Sequence, residues 1–200
     1  PPTLVSFATA IGNTRDVQSP EFKKANSAVV MLRPQYKDGL PEIGSLIAIY
    51  KTVEQMIEEG KVLSAATPGY GGVAEALFKM CVGNHVGLQL SNDLNFNDLF
   101  KPAYGSVILE LLDPSAGEFL GFTTVDYTLE AGKEMIDLAK LQEKWEAKLE
   151  PVFPYRKAGP TVPALEHDCP TNKRVAPAVR LATPRVIIPV FPGTNCEYDT

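Results

Sequence analysis

The chain has 200 residues, of which 44% are hydrophobic and 22% charged, and its formal net charge at pH 7 is −5. This composition is that of an ordinary globular domain with a short extension, and it differs from that of a disordered chain. The acidic balance argues against nucleic acid or a membrane surface as a partner, because either would select a basic face. No apolar run approaches the roughly 20 residues that span a bilayer.

Helical and strand patterns alternate through the first 150 residues. Short apolar runs predict buried strands, and apolar side chains spaced three and four apart predict helices that end at glycines. The predicted strands lie at 4–8, 27–32, 62–65, 86–90, 106–111 and 119–125, and the predicted helices at 41–59, 72–82 and 134–149. Because several strands are close enough in sequence to form hairpins, we predict a mixed α/β sheet with flanking helices.

Prolines concentrate towards the C-terminus, where nine of the 17 fall between Pro151 and Pro192. This spacing forbids a continuous helix or a central strand and predicts an extended linker. The apolar run at 185–191 predicts a strand buried on both faces, without the helix that would usually follow it. Since the chain also starts without methionine, we expect a fragment of a longer polypeptide. The expected divisions are an α/β domain at 1–150, a linker at 151–184 and the start of another domain at 185–200.

The clearest candidate site is a loop with three glycines between the predicted strand at 62–65 and the predicted helix at 72–82. Glycine permits close backbone approach, and the exposed N–H groups at a helix start attract anions. The loop could therefore hold a phosphate, although it matches neither the dinucleotide fingerprint nor the P-loop. The alternative is that the glycines only permit a tight turn and close packing. The candidate phosphate-binding residues are Thr67, Gly69, Gly71 and Gly72.

Other polar and sulfur-bearing residues favour structural roles. The polar cluster at 13–16 and the Asn- and Asp-rich stretch at 92–98 indicate turns and helix caps, since the latter lacks the glycine and terminal glutamate of a calcium loop. His167 and Cys169 are too few to close a zinc site, so no metal site is expected. Cys81 lies on an apolar helix face and is interpreted as a core residue. Three scattered cysteines indicate a reducing compartment, which predicts a cytoplasmic location.

Several segments resemble one enzyme family. Residues 185–199 (RVIIPVFPGTNCEYD) closely resemble the opening of the glutaminase domain of phosphoribosylformylglycinamidine synthase, a glutamine-dependent amidotransferase of purine biosynthesis. Residues 4–23 (LVSFATAIGNTRDVQSPEFK) are similar to the start of that enzyme's last domain of the aminoimidazole-ribonucleotide-synthetase type. The loop at 64–77 and the stretch at 141–153 fall where that domain has its Gly-Gly turn and final helix.

The resemblance implies an aminoimidazole-ribonucleotide-synthetase-like C-terminal domain at the end of the large, single-chain form of the enzyme. The implied partners are the other domains of that polypeptide, namely a catalytic synthetase-like half and the glutaminase. The implied reaction transfers ammonia from glutamine to formylglycinamide ribonucleotide, with ATP and magnesium. The family's second half tends to hold a nucleotide that is not turned over. Cys196 belongs to the opening motif of the glutaminase and is not the family's nucleophile.

The glycine loop departs from the family pattern. Where the family often has His-Asp-x-Ser-Asp-Gly-Gly, this chain has Thr67 at the acidic metal-ligand position and Gly69 at the serine position, and only Gly71 and Gly72 persist. Losing a carboxylate removes a magnesium bridge to phosphate. We therefore expect a structural domain that is inactive alone, and we keep an auxiliary ADP site as the alternative. A stand-alone aminoimidazole ribonucleotide synthetase-type domain is a third hypothesis, which the glutaminase-like tail disfavours.

The apolar run at 185–191 carries one further expectation. An unpaired apolar strand readily adds to an exposed sheet edge. If the run has lost its own sheet, it is expected either to be disordered or to be recruited by another edge. We therefore expect that it could mediate self-association.

Overall fold

The computed structural model describes residues 5–114, 116–154, 182–183 and 185–195. The chain divides into two compact units, residues 1–157 and 158–200, and the helices and strands found among the described residues lie in the first. The strands are β1 Ala28–Leu32, β2 Tyr36–Lys37, β3 Leu40–Pro41, β4 Val62–Ala66, β5 Gly87–Leu90, β6 Val107–Leu111, β7 Glu118–Thr124, β8 Thr128–Ala131 and β9 Glu134–Asp137. The α-helices are α1 Ile43–Glu58, α2 Gly72–Val82, α3 Phe96–Leu99 and α4 Leu138–Ala147, and a short 3₁₀ helix covers Thr14–Asp16.

Seven of these strands form one mixed sheet in the order β4-β6-β1-β7-β5-β8-β9. β5 and β8 run parallel, and the other neighbouring strands run antiparallel. β2 and β3 form a separate two-stranded hairpin. The architecture confirms the predicted mixed α/β sheet with flanking helices. None of the helices in the described part of the chain is long and apolar enough to cross a membrane.

The neighbouring strands β1 and β6 are buried on both faces, which explains their mainly apolar sequences. On one face, Val29 of β1 and Ile108 of β6 belong to a core that α2 dominates. On the opposite face, Val30 and Leu109 pack with Val53 and its neighbour Met56 of α1. The alternation of side chains along β1 and β6 therefore divides the hydrophobic core between two helical layers.

A buried carboxylate ties the segment before β1 to the sheet. Glu110 of β6 is fully buried, and its carboxylate accepts hydrogen bonds from the backbone N–H of Lys23 at 2.8 Å and from the Ser64 hydroxyl at 2.9 Å. The Lys24 N–H donates to the other carboxylate oxygen at 3.3 Å. Next to these contacts the Phe22 N–H donates to the Met80 carbonyl at 2.8 Å. Residues 22–24 are thus anchored to both the sheet and α2.

Most predicted elements are confirmed, including the helix at 72–82 with its predicted bounds. The predicted helix at 134–149 is wrong over its first four residues, which form β9. The turn at Gly132, whose φ is +63°, brings these residues back against β8. The Asp137 side chain then accepts from the Lys140 N–H at 3.1 Å, so that α4 begins only at Leu138.

Two predicted strands are absent from the described residues. Residues 5–8 form no strand and are exposed, and Phe7 is 90% exposed; Leu4 lies outside the described residues. Residues 185–191 also form no strand, and Ile187 is 91% exposed. Both runs have strand-like composition, but a strand exists only where a neighbour supplies hydrogen bonds. Pro189 additionally lacks the N–H that a central strand needs.

Candidate functional site

The glycine loop joins the C-terminal end of β4, an edge strand of the large sheet, to the first turn of α2. Pro68 is buried, whereas Thr67 and Gly69 are exposed and Tyr70 is 89% exposed. The Gly72 N–H donates to the Gly69 carbonyl at 3.1 Å, which closes a tight turn. Of the four predicted site residues, Gly69, Gly71 and Gly72 lie in this turn at the helix start, and Thr67 lies just before it.

Packing explains why Gly72 must be a glycine. Its φ is +72°, and a Cβ built there would lie 2.6 Å from the Leu99 carbonyl oxygen and 2.7 Å from the Lys101 carbonyl oxygen. Both contacts are to backbone, one at the last residue of α3 and one just after it, and backbone cannot move aside as a side chain can. This observation supports the interpretation that the Gly-Gly pair permits a tight turn and close packing.

The N-terminus of α2 already holds a carboxylate from this chain. Glu75 accepts the Gly71 N–H at 2.8 Å through one oxygen and the Lys79 ammonium at 2.6 Å through the other. These two contacts, with Lys79 the larger cause, lower the pKa of Glu75. A negative charge at a helix N-terminus is stabilising. The Glu75 carboxylate therefore offsets part of the positive charge at the helix N-terminus that would attract a phosphate.

Little near the loop fits a bound metal ion. Thr67 and Gly69 contribute no carboxylate, and the described residues contain no cluster of three or more His, Cys, Asp or Glu side chains that could hold a metal. The groove beside the loop has a volume of about 420 Å³, and Met80 and Val107 contribute to its mainly apolar lining. An Mg²⁺ site usually includes a carboxylate among its oxygen ligands, and the side chains that line this groove include none.

The remaining candidates have structural roles where they are described. Asn95 caps α3 by accepting the Asn97 N–H at 3.2 Å, which confirms the predicted capping role in that stretch. At the 3₁₀ helix, the Asp16 N–H donates to the Asn13 carbonyl at 3.1 Å, which is a turn contact. His167, Cys169 and Cys196 lie outside the described residues.

Cys81 is confirmed as a core residue of α2, and it is fully buried. Burial raises the pKa of its thiol to about 12. Because the thiolate is the reactive form, we expect Cys81 in the folded chain to resist alkylation at pH 8 and to react readily in denaturant. Peptide mapping by mass spectrometry after iodoacetamide treatment separates its labelling from that of Cys169 and Cys196. Rapid modification of Cys81 without denaturant would contradict its burial.

Sequence reasoning missed Glu75, although a signal for it exists. Glu75 stands four residues after Gly71 and four before Lys79, so that one helix face carries both its contacts. An acidic residue in the first turn of a predicted helix indicates interaction with the helix N-terminus. A prediction made from the glycine spacing alone overlooks the Glu75 carboxylate, which would compete with a phosphate for the helix start.

Comparison with known proteins finds similarity to PurL, in sequence over part of the chain and in fold over most of it. No protein-family model matches the sequence. Eighty-eight residues are 33% identical to the phosphoribosylformylglycinamidine synthase subunit PurL of Methanocaldococcus jannaschii, over 40% of this chain and 12% of that protein. The fold is similar to Thermotoga maritima PurL complexed with ADP, with a TM-score of 0.53, 12% identity and coverage of 77% of this chain and 30% of that chain.

Two further T. maritima structures show the same fold. The similarity to PurL complexed with FGAR has a TM-score of 0.52 at 12% identity and covers 82% of this chain and 33% of that chain. The similarity to PurLQS has a TM-score of 0.51 at 12% identity, and it covers 82% of this chain and 32% of that chain. The chain thus spans about a third or less of the length of each of these PurL proteins. The mixed α/β fold is shared with PurL, and one segment of the sequence is similar to a PurL subunit.

Proposed function

We propose that this chain is a structural α/β domain of an enzyme of the phosphoribosylformylglycinamidine synthase type. The observation that carries this proposal is the match to PurL, at 33% identity over 88 residues, together with the PurL fold. The enzyme would be an ATP-dependent carbon–nitrogen ligase of purine biosynthesis. It would convert formylglycinamide ribonucleotide into formylglycinamidine ribonucleotide with glutamine as the amide donor and magnesium as the metal, in the cytoplasm.

In this proposal the domain supports catalysis elsewhere and carries none itself. Gly72 is explained by packing against the backbone after α3. Glu75 lies at the helix start where a phosphate would bind. The proposed divisions are the domain at 1–150, a proline-rich linker at 151–184 and the start of a glutaminase domain at 185–200. Its proposed partners are the catalytic half and the glutaminase domain of the same polypeptide, with no nucleic acid or membrane involved.

Titration calorimetry with ADP tests the structural role directly. We expect no saturable heat when ADP is added to the full chain, with or without Mg²⁺, because the loop lacks a carboxylate at Thr67 and already holds Glu75 at the helix start. Circular dichroism on the same sample confirms that the chain is folded. Saturable binding that tightens with Mg²⁺ would overturn the proposal and show that other side chains supply the ligands.

A second candidate function is an auxiliary nucleotide site at Thr67, Gly69, Gly71 and Gly72. Its support is the exposed turn at a helix N-terminus, with Lys79 of α2 held nearby by Glu75. If this site binds phosphate, Glu75→Gln should raise the ADP affinity several-fold, because it removes a competing negative charge and leaves Lys79 unpaired.

Glu54→Gln is the matched control for that variant, since Glu54 is an exposed glutamate on α1. An ADP affinity that rises in Glu75→Gln and stays constant in Glu54→Gln would favour the nucleotide site. Absence of binding to either variant would favour the purely structural domain.

A further inference from the structure

One half of a sheet face lacks a covering helix among the described residues. α1 packs on this face against residues of β1, β4 and β6 such as Val30, Val62 and Leu109. Further along the same face, β7, β5 and β8 carry side chains that remain accessible. Phe119 is 36% exposed and Phe122 46% exposed. Two phenylalanine rings on an open sheet face mark a surface that gains free energy when a partner covers it.

The strand register places an aromatic ring, an amide and a carboxylate in one row. Phe122 of β7 is paired with Gln89 of β5, which is paired in turn with Glu130 of β8. The Gln89 amide donates to the Glu130 carboxylate at 3.1 Å. The Phe119 ring stands edge-on to Phe122 with a centroid separation of 4.9 Å. These side chains border a groove of about 400 Å³ that Asp93 also lines.

The groove carries acidic charge that the described residues leave unneutralised. Neither Asp93 nor Glu130 forms an ion pair with another described residue, whereas nearby Glu118 is 3.6 Å from Arg33. A cationic group over a phenylalanine face is stabilised by the ring's quadrupole, and a carboxylate beside it adds a charge-assisted hydrogen bond. The planar guanidinium suits both contacts better than a lysine ammonium, since it stacks and binds bidentately.

We infer that this groove docks an arginine side chain presented by a partner protein. The guanidinium would stack on the Phe119–Phe122 pair and donate to Glu130 and Asp93. Charge complementarity indicates that the occupant is a basic segment, because an acidic or neutral segment would leave the carboxylates of Glu130 and Asp93 without an ion-pair partner. The inference concerns the sheet face and does not depend on the proposed enzyme or on the glycine loop.

The test is an NMR titration of the full chain with N-acetyl-arginine amide, with N-acetyl-citrulline amide as the uncharged matched probe. We expect saturable shifts of the backbone signals of Gln89, Gly121 and Phe122, and affinity for the citrulline probe at least about fivefold weaker. Glu130→Gln should also weaken binding of the arginine probe about fivefold. The control Glu134→Gln, on the exposed strand β9, should leave it unchanged.

Four outcomes would overturn the inference. Equal shifts with both probes would show that charge is not recognised, and shifts confined to other surfaces would place the arginine elsewhere. The third is self-association: if sedimentation shows a dimer that dissociates in Phe122→Ala, the occupant of the face is a second copy of this chain. Retention of arginine binding in Glu130→Gln and Asp93→Asn together would also contradict the assignment.

Discussion

Replacing Gly72 by alanine should destabilise the folded chain by about 3 kcal/mol, because it adds a Cβ at a left-handed φ and against fixed backbone. At φ +72° an L side chain is strained in any surroundings. Here it would also meet the carbonyl oxygens of Leu99 and Lys101 at 2.6 and 2.7 Å. This clash can be relieved only if α2 or the backbone at the end of α3 shifts. Urea-induced unfolding followed by far-ultraviolet circular dichroism measures the loss as a lower midpoint with an unchanged slope.

The same loop supplies graded controls for this variant. A Cβ at Gly69 would meet nothing within 4 Å, so Gly69→Ala should change the free energy of unfolding by less than about 0.5 kcal/mol. A Cβ at Gly71 would lie 2.2 Å from a carboxylate oxygen of Glu75, which can rotate away, and 2.7 Å from the Glu75 Cβ, which moves only with the helix backbone. An intermediate loss is therefore expected. If Gly72→Ala were as stable as Gly69→Ala, close packing would not explain this glycine.

The elements that sequence patterns predict best are those bounded by local signals. α2 is rich in apolar residues and flanked by glycines, and its predicted and observed bounds agree. α1 was expected from Pro41 but begins at Ile43, because the Glu42 side chain accepts from the Gly44 and Ser45 N–H groups. A glutamate is an unusual cap, so this boundary is not evident from residue preferences.

The errors concern segments whose structure is decided by the presence or absence of a partner strand. Residues 134–137 continue a helical spacing in sequence, yet pairing with β8 makes them a strand. Residues 5–8 show the opposite error, a predicted strand that does not form. Their composition is strand-like, but no strand among the described residues pairs with them. The candidate loop was located correctly between a strand and a helix, whereas the contact of its Gly72 with Leu99 joins positions far apart in sequence.

Glu110 is the residue whose importance was least visible in the sequence, and its loss should have the largest effect. It interrupts the apolar strand β6, and its partners Lys23 and Ser64 are 87 and 46 residues away along the chain. Glu110→Ala would remove the acceptor of two backbone N–H groups and one hydroxyl and leave a cavity. A buried donor without a partner costs about 1–3 kcal/mol, and we expect a total loss of about 3–5 kcal/mol in the free energy of unfolding.

Smaller changes at the same site separate hydrogen bonding from packing. Glu110→Gln keeps the volume but turns one acceptor oxygen into a donor that would face an N–H group, so it should still lose about 2 kcal/mol. Ser64→Ala removes one hydroxyl and should cost about 1 kcal/mol. Because Ser64 and Glu110 share a hydrogen bond of 2.9 Å, the double variant Ser64→Ala/Glu110→Ala should lose less than the sum of the single losses.

Hydrogen exchange then identifies what Glu110 stabilises. The carboxylate binds the N–H groups of Lys23 and Lys24, so in Glu110→Gln these amides should exchange faster than the strand amides of β1. The control Glu54→Gln changes an exposed glutamate on α1 and should alter neither stability nor exchange. If Glu110→Gln left the amides of residues 23 and 24 as protected as before, the anchoring role of this carboxylate would be wrong. Faster exchange limited to residues 23 and 24 would show that this one buried side chain anchors the segment that leads into β1.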